Sequence, residues 1–297
     1  MTLEQLNIFV AVAEREHLTR AATALHLTPS AVSSAIKTLE NYYSVPLFNR
    51  VGRHIELTEA GRLFLSEAKA TLARAHMAEL VLSELGGLKR GTLAVHASQT
   101  IASYWVPSLL TRFHTQYPSV EIDLTIGNTQ TVAQAVHEGA AEIGFIEGDI
   151  DEPALSSRVV ANDRLIIVVP PDHPWADGEL LEPKALKQGQ WIMREAGSGT
   201  RSAFEKAVSN SRIDPAKLDV GLVFPSNEAV LSAVRCGQYA AVVSEMVALP
   251  HLKTGNLVKV NFDLPTRRFV LLRHKERHKT KASLALESLI DFKLQSP

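Results

Sequence analysis

The sequence predicts a small helical head, one long helix, and an α/β body in two halves. Three observations carry this. Residues 17–41 hold two helical patterns separated by a tight turn near Leu27-Thr28. Residues 58–85 run without proline to a Gly86-Gly87 pair, as a long helix does. Beyond Gly91 the pattern changes to short apolar strands alternating with amphipathic helices.

In the head, residues 2–14 form an amphipathic helix in which Leu3, Leu6, Phe9, Val10 and Ala13 share a face. The second helix of the 17–41 pair has two chemically different sides. Val32, Ile36 and Leu39 make an apolar stripe, while Ser30, Ser33, Ser34 and Lys37 line another. Thr28 caps it and Pro29 takes its first position. A hydroxyl-rich face with one cation suits a helix pressed into a DNA major groove, where hydroxyls reach phosphates or base edges. An ordinary helical hairpin with a solvated face fits this stretch equally well when it is taken alone.

Pro46 to Thr58 then reads as a short hairpin, a wing with Arg50 and Arg53 on either side of Gly52. By itself this is a solvated charge pair. Beside the preceding helix it suits backbone or minor-groove contact. From Thr58 to Leu85, Phe64, Ala68, Thr71, Ala75, Ala78, Leu82 and Leu85 repeat in steps of four and three, a seam of coiled-coil type. We read this as a dimer helix with nothing local to pack on, in preference to one docked on its own body. Gly86 to Gly91 is a hinge.

The body is expected to carry strands at 92–97, 120–126, 142–147, 165–169, 190–193, 220–224, 240–243 and 269–272, with helices at 100–117, 131–138, 228–236 and 281–292. Asn162-Asp163 and Leu264-Pro265 are the expected crossings between halves. Four polar clusters fall where strands hand over to helices, the usual place for ligands in open α/β sheets. They are Ser98-Gln99-Thr100, Asn128 to Thr131, Arg194 to Arg201, and Pro225 to Glu228. Hydroxyls and amides at helix starts hold an anion without formal charge. Helix capping explains each cluster singly; their recurrence in both halves favours a shared cleft. The candidates are Ser98, Gln99, Thr100, Thr129, Gly197, Ser198, Thr200, Arg201 and Asn227. A structural ion pair is an equal reading for Arg201. Glu147 either lines the cleft and meets a cationic group or is exposed.

The head has a further signature. Leu6, Phe9, Ala13, Ala21 and Ala22, then Pro29 to Lys37 with Leu39-Glu40, then Pro46 to Arg50, then Leu57 to Gly61 resemble the N-terminal winged helix-turn-helix of LysR-type transcriptional regulators. That family often carries a basic or amide side chain where this chain has Ser34 and Ala35. Arg194-Glu195-Ala196-Gly197-Ser198-Gly199-Thr200-Arg201 is similar to a segment of LysR-type effector domains, in regulators of sulfur assimilation and carbon fixation.

The resemblance implies a winged head at 1–58, a dimerisation helix and hinge at 59–90, and a periplasmic-binding-protein-like effector domain at 91–297. Its first lobe would span about 91–162 and 266–297, and its second about 163–265. It further implies promoter DNA as partner, homodimers assembling as dimers of dimers, and activation or repression as output. RNA polymerase is an admissible further partner. In place of a cofactor it implies a small effector: sulfite, sulfate, phosphate or a carboxylate.

Composition sets bounds on this reading. The 297 residues carry a formal charge of −1, so no global basic field points to nucleic acid. Arg15, Arg20, Lys37, Arg50 and Arg53 balance Glu4, Glu14, Glu16, Glu40 and Glu56 in the head, so DNA affinity must rest on where the cations sit. The lone Cys236 excludes an intrachain disulfide and is expected as a small buried filler. No apolar run reaches membrane-spanning length, and the N-terminus lacks a signal sequence, so a cytoplasmic protein is expected. An enzyme is the chief rival. Against it, the chain has no His-Glu-x-x-His, no Gly-x-Ser-x-Gly and no phosphate-loop motif, and His274 and His278 sit in a basic turn. A free-standing solute-binding protein leaves residues 1–90 unexplained.

Overall fold

The computed structural model describes residues 1–51, 54–85 and 91–295. The chain divides after Gly86 into a head and a body.

In the head, α1 (Leu3–Arg15) starts on a capping box in which Thr2 and Gln5 satisfy each other's backbone N–H groups. Leu6, Phe9 and Ala13 are buried as their spacing predicts, together with Ile8, Ala11 and Val12. Leu3 is not: it lies at the helix start and is half exposed. α2 (Leu18–Ala24) and α3 (Pro29–Tyr43) follow, joined by a turn in which His26 has φ of 55°. Val32, Ile36 and Leu39 join the core against α1. β1 (Phe48–Val51) and β2 (His54–Leu57) pair antiparallel as the wing. Gly52 and Arg53 lie outside the described residues, as does the side chain of Arg50.

α4 (Glu59–Leu85) begins under Thr58, whose hydroxyl accepts from the Gly61 N–H. Its first half is not unpartnered as the sequence implies. Phe64, Leu65, Ala68 and Leu72 pack on the head's own core, and Lys69 pairs with Glu14 at 2.9 Å. Farther along, Ala78 and Leu82 are exposed. Residues 86–90 of the expected hinge and the side chain of Leu85 lie outside the described ones.

The body is built on a mixed sheet. β3 (Gly91–Ser98) lies between β4 (Val120–Gly127) and β5 (Ile143–Glu147), all parallel. β7 (Gln190–Arg194) lies parallel between β8 (Asp219–Phe224) and β9 (Ala240–Ser244). Two long antiparallel strands join these halves. They are β6 (Leu155–Val169) and β11 (Thr266–His274), with the short β10 (Val258–Lys259) beside β6. Residues up to Arg164 of β6 pair with β11, and Leu165 onward pairs with β9. The resulting order is β4-β3-β5-β11-β6-β9-β7-β8. The crossing at Asn162-Asp163 is therefore continuous strand rather than a linker between elements.

Helices cover the sheet. The helix expected at 100–117 is two, α5 (Gln99–Tyr104) and α6 (Val106–Gln116). Pro107 brings no N–H and its ring crowds the preceding turn, so the break falls at Trp105. α7 (Thr129–Glu138), α8 (Gly199–Asn210), α9 (Asn227–Val234), α10 (Glu245–Lys253) and α11 (Lys281–Gln295) complete the body. Cys236, expected to be buried, is exposed just past α9.

Candidate nucleic-acid interface and ligand cleft

Thr28 fixes the start of α3, its hydroxyl accepting from the Ala31 N–H at 3.2 Å and lying 3.1 Å from that of Ser30. With Val32, Ile36 and Leu39 held in the core, the opposite side presents Thr28, Pro29, Ser30, Ser34 and Lys37 to solvent, and Ser33 is half buried. Glu40, seven residues past Ser33, lies at the edge of that side and is half buried. Its Oε1 accepts from the N–H groups of Leu47 and Phe48 and so ties the entry of the wing to α3. One potentially repulsive carboxylate is thereby occupied in holding the wing.

In the body, the four polar clusters separate into caps and non-caps. Asn128 and Thr131 cap α7 reciprocally, and Ser226 accepts from Ala229 to cap α9. Ser98 and Ser198, by contrast, make no side-chain capping bond to α5 or α8. Ser98 is 1 % exposed and its hydroxyl has no partner among the described residues.

Around these serines the two halves meet. Asn227, fully buried, accepts from Arg194 at 2.9 Å and donates to Thr100 at 3.1 Å, and its backbone N–H donates to Gln99 at 2.9 Å. Gln99 in turn donates to Glu228, which also accepts from Tyr104. Burial first, then Glu228, pushes the Tyr104 phenol up from its ordinary range. On the far side Asn128 donates to Glu195 and to the Ala196 carbonyl, and the Gln130 N–H donates to Gly197. Burial pushes the Glu195 carboxyl up, but Arg194, then a bond to the residue's own backbone N–H and then Asn128 together outweigh it and hold the group below the usual carboxylate range.

At the centre lies Arg267, which sequence reasoning missed. It pairs with Asp163 at 2.7 Å, donates to Thr200 at 2.8 Å and to Thr100 at 3.5 Å, and is 4 % exposed. Asp163 also accepts from Ser244 at 2.6 Å. The signal was in the run Arg267-Arg268. In a strand, one of two adjacent arginines must point inward. Arg267 does so, whereas Arg268 is exposed on Asp149. Glu147 is 4 % exposed and belongs to the cluster: Thr129 lies 3.2 Å from its carbonyl oxygen and 3.4 Å from its Oε2.

Ser98, Gln99, Thr100, Thr129, Ser198, Thr200 and Asn227 all belong to or border this cluster. Two further candidates also have structural partners. Gly197, at φ of 85°, supplies the turn against Asn128 and Gln130. Arg201 forms the structural ion pair, with Glu205 at 2.7 Å.

The chemical consequence lies in the hydroxyls. Thr100 and Thr200 accept from Asn227 and Arg267, so their own hydrogens have no acceptor among the described residues. Ser98 is likewise uncommitted. Uncommitted hydroxyl donors, two of them on a buried guanidinium, can hold the oxygens of a small acid. Among the described residues no His/Cys/Asp/Glu group could hold a metal, and no helix is long and apolar enough to cross a membrane.

Comparison with known proteins follows the same division. Residues 3–62 match the bacterial regulatory helix-turn-helix model of the lysR family, and residues 86–294 match the LysR substrate binding domain. The chain is 34% identical to the HTH-type transcriptional regulator YeiE of Escherichia coli K12, over 98% of this chain and 97% of that protein. It is 32% identical to a probable RuBisCO transcriptional regulator of Trichormus variabilis, over 97% of this chain and 87% of the relative. The structure of full-length CbnR with its target DNA superposes with a TM-score of 0.70 at 20% identity, covering 98% of this chain and 99% of that one.

Proposed function

Since the chain belongs to the LysR family, and is thus a DNA-binding transcriptional regulator and not an enzyme, we propose that α3 and the wing read its operator and that a small anion bound among Ser98, Thr100, Thr129, Ser198, Thr200 and Asn227 controls the response. Thr28, Pro29, Ser30, Ser33, Ser34 and Lys37, with Arg50 and Arg53 of the wing, are the DNA contacts. The observation that carries the anion reading is that the buried Thr100 and Thr200 hydroxyls on Arg267, and the buried Ser98 hydroxyl, have no acceptor for their hydrogens among the described residues.

The proposed mechanism follows from where the cluster sits. Its residues come from both halves of the body, so a ligand there changes the free energy of closure between them. Closure in turn would re-set how copies of the chain pack, and hence the spacing of paired heads on DNA. The assembly we propose is a cytoplasmic homodimer that pairs further into a dimer of dimers. CbnR, solved on its target DNA, is a precedent in fold for the DNA-bound form.

The DNA half of the proposal is tested by fluorescence anisotropy on a duplex from the gene's own upstream region at low salt. Lys37→Ala should weaken binding by roughly 5- to 100-fold, the range of one lost phosphate or base contact. It should leave thermal stability unchanged, because Lys37 is exposed. Undiminished affinity would remove α3 from the interface.

A further inference from the structure

The charges around the cleft leave one group unexplained. Each cation already has its carboxylate: Arg194 pairs with Glu195, Arg201 with Glu205 and Arg267 with Asp163. Glu228 takes the Gln99 amide and the Tyr104 hydroxyl. Glu147 has no cation of its own and shares Arg267 with Asp163 as the more distant partner. Its Oε1 forms a 3.9 Å ion pair with Arg267, beyond hydrogen-bond reach, and among the described residues its Oε2 has only Thr129, at 3.4 Å. A carboxylate has acceptor capacity for several donors and no hydrogen to give. With one long hydrogen bond and a 3.9 Å ion pair, the Glu147 carboxylate keeps acceptor capacity to spare. The position is also fixed. A Cβ on Gly199 would come within 2.6 Å of the Glu147 carbonyl oxygen and 2.9 Å of its Cβ, so the start of α8 presses directly on this residue.

A ligand held by the nearby hydroxyls would therefore meet donors on one side and an acceptor with capacity to spare on the other. The unpartnered Ser98 hydroxyl, 1 % exposed, marks the donor side. A fully deprotonated dianion would have no spare cation to balance it and would be repelled by Glu147. An anion carrying its own O–H would complete the Glu147 shell instead.

We infer that Glu147 is a specificity-determining residue, which selects an anion bearing a hydroxyl donor and rejects one of the same shape without it. This rests on the cleft reading given above. Two matched pairs of probes isolate the donor: phosphate against sulfate, and glycolate against acetate. The first member of each pair offers an O–H at neutral pH and the second does not.

The experiment is isothermal titration of the full chain with all four ions, on the wild type and on Glu147→Gln. The glutamine amide can donate as well as accept. In the wild type, phosphate should outbind sulfate, or glycolate outbind acetate, by at least about tenfold. In Glu147→Gln the ratio should fall to within about threefold, chiefly by a gain in the partner without a hydroxyl. Sulfate and acetate binding the wild type as well as their partners do would overturn the inference and leave the cleft in place. So would a ratio unmoved in a variant that melts at the wild-type temperature. If the variant does not fold, the wild-type ratio alone decides. Absence of binding by all four ions would remove the small-anion reading, and this inference with it.

Discussion

A hydroxyl buried without a partner costs a fold about 1–3 kcal/mol, and Ser98 is one. Replacing it with alanine removes the unsatisfied group and little volume. Ser98→Ala should therefore melt at the same temperature or slightly higher, while the effector concentration needed for a response rises about tenfold, the worth of roughly one hydrogen bond to a charged group. Asn227 has the opposite profile. It joins Arg194, Gln99 and Thr100 across the two halves, so Asn227→Ala strands a buried guanidinium N–H and leaves a cavity. That variant should lose about 2–4 kcal/mol. Thermal melting and effector titration of the two variants side by side separate a hydroxyl held for the ligand alone from an amide that also ties the two halves together. Equal destabilisation by both would show that Ser98 has a structural role and give the cleft a different donor set.

At the scale of the element, α8 shows how a ligand site can govern a helix start. Gly199 opens the helix, and a methyl there would lie 2.6 Å from both the Glu147 carbonyl oxygen and the Thr129 hydroxyl. The carbonyl oxygen is backbone of β5 and cannot retreat easily, and the Thr129 hydroxyl would have to rotate off that carbonyl to clear the methyl. Gly199→Ala should cost about 1–3 kcal/mol by overpacking and force the two halves apart at this edge. Calorimetry would detect the first effect and a weakened effector titration the second; an unaffected variant would mean that the contact is dispensable. Pattern made the elements themselves largely legible. The stripe of Val32, Ile36 and Leu39 set the burial of α3, and Thr28-Pro29 set its start. What pattern left hidden depends on register and on distant partners. Arg267 and Arg268 are indistinguishable by composition, and only the strand's pairing turns one inward. The four polar clusters looked alike, yet two are spent on caps and two are not. Trp105 ends a helix because of a proline two residues on, a local rule that the amphipathic run around it concealed.

For the molecule as a whole, the head presents few cations, and the formally neutral 1–58 segment can make only a handful of phosphate contacts. Binding by one head should be weak at physiological salt. α4 is the helix we propose to pair heads. Its 27 residues extend about 40 Å at 1.5 Å per residue. The first half is anchored on the head through Phe64, Leu65, Ala68 and Leu72. The outer half carries Leu82, 68% exposed, in register with the same seam. An apolar side chain so placed on a helix of this length is best satisfied by the helix of a second copy. Leu82→Glu puts a charge on that seam without touching the head's core. It should shift the chain from dimer to monomer in sedimentation at micromolar concentration. Halving the number of paired heads also halves the phosphates neutralised, so the slope of log K against log salt on operator DNA should fall to about half. Lys37→Ala would instead weaken binding and lower that slope by about one unit in each head, leaving the oligomer intact. A Leu82→Glu chain that remains dimeric and keeps its full salt slope would place the pairing surface elsewhere on the molecule.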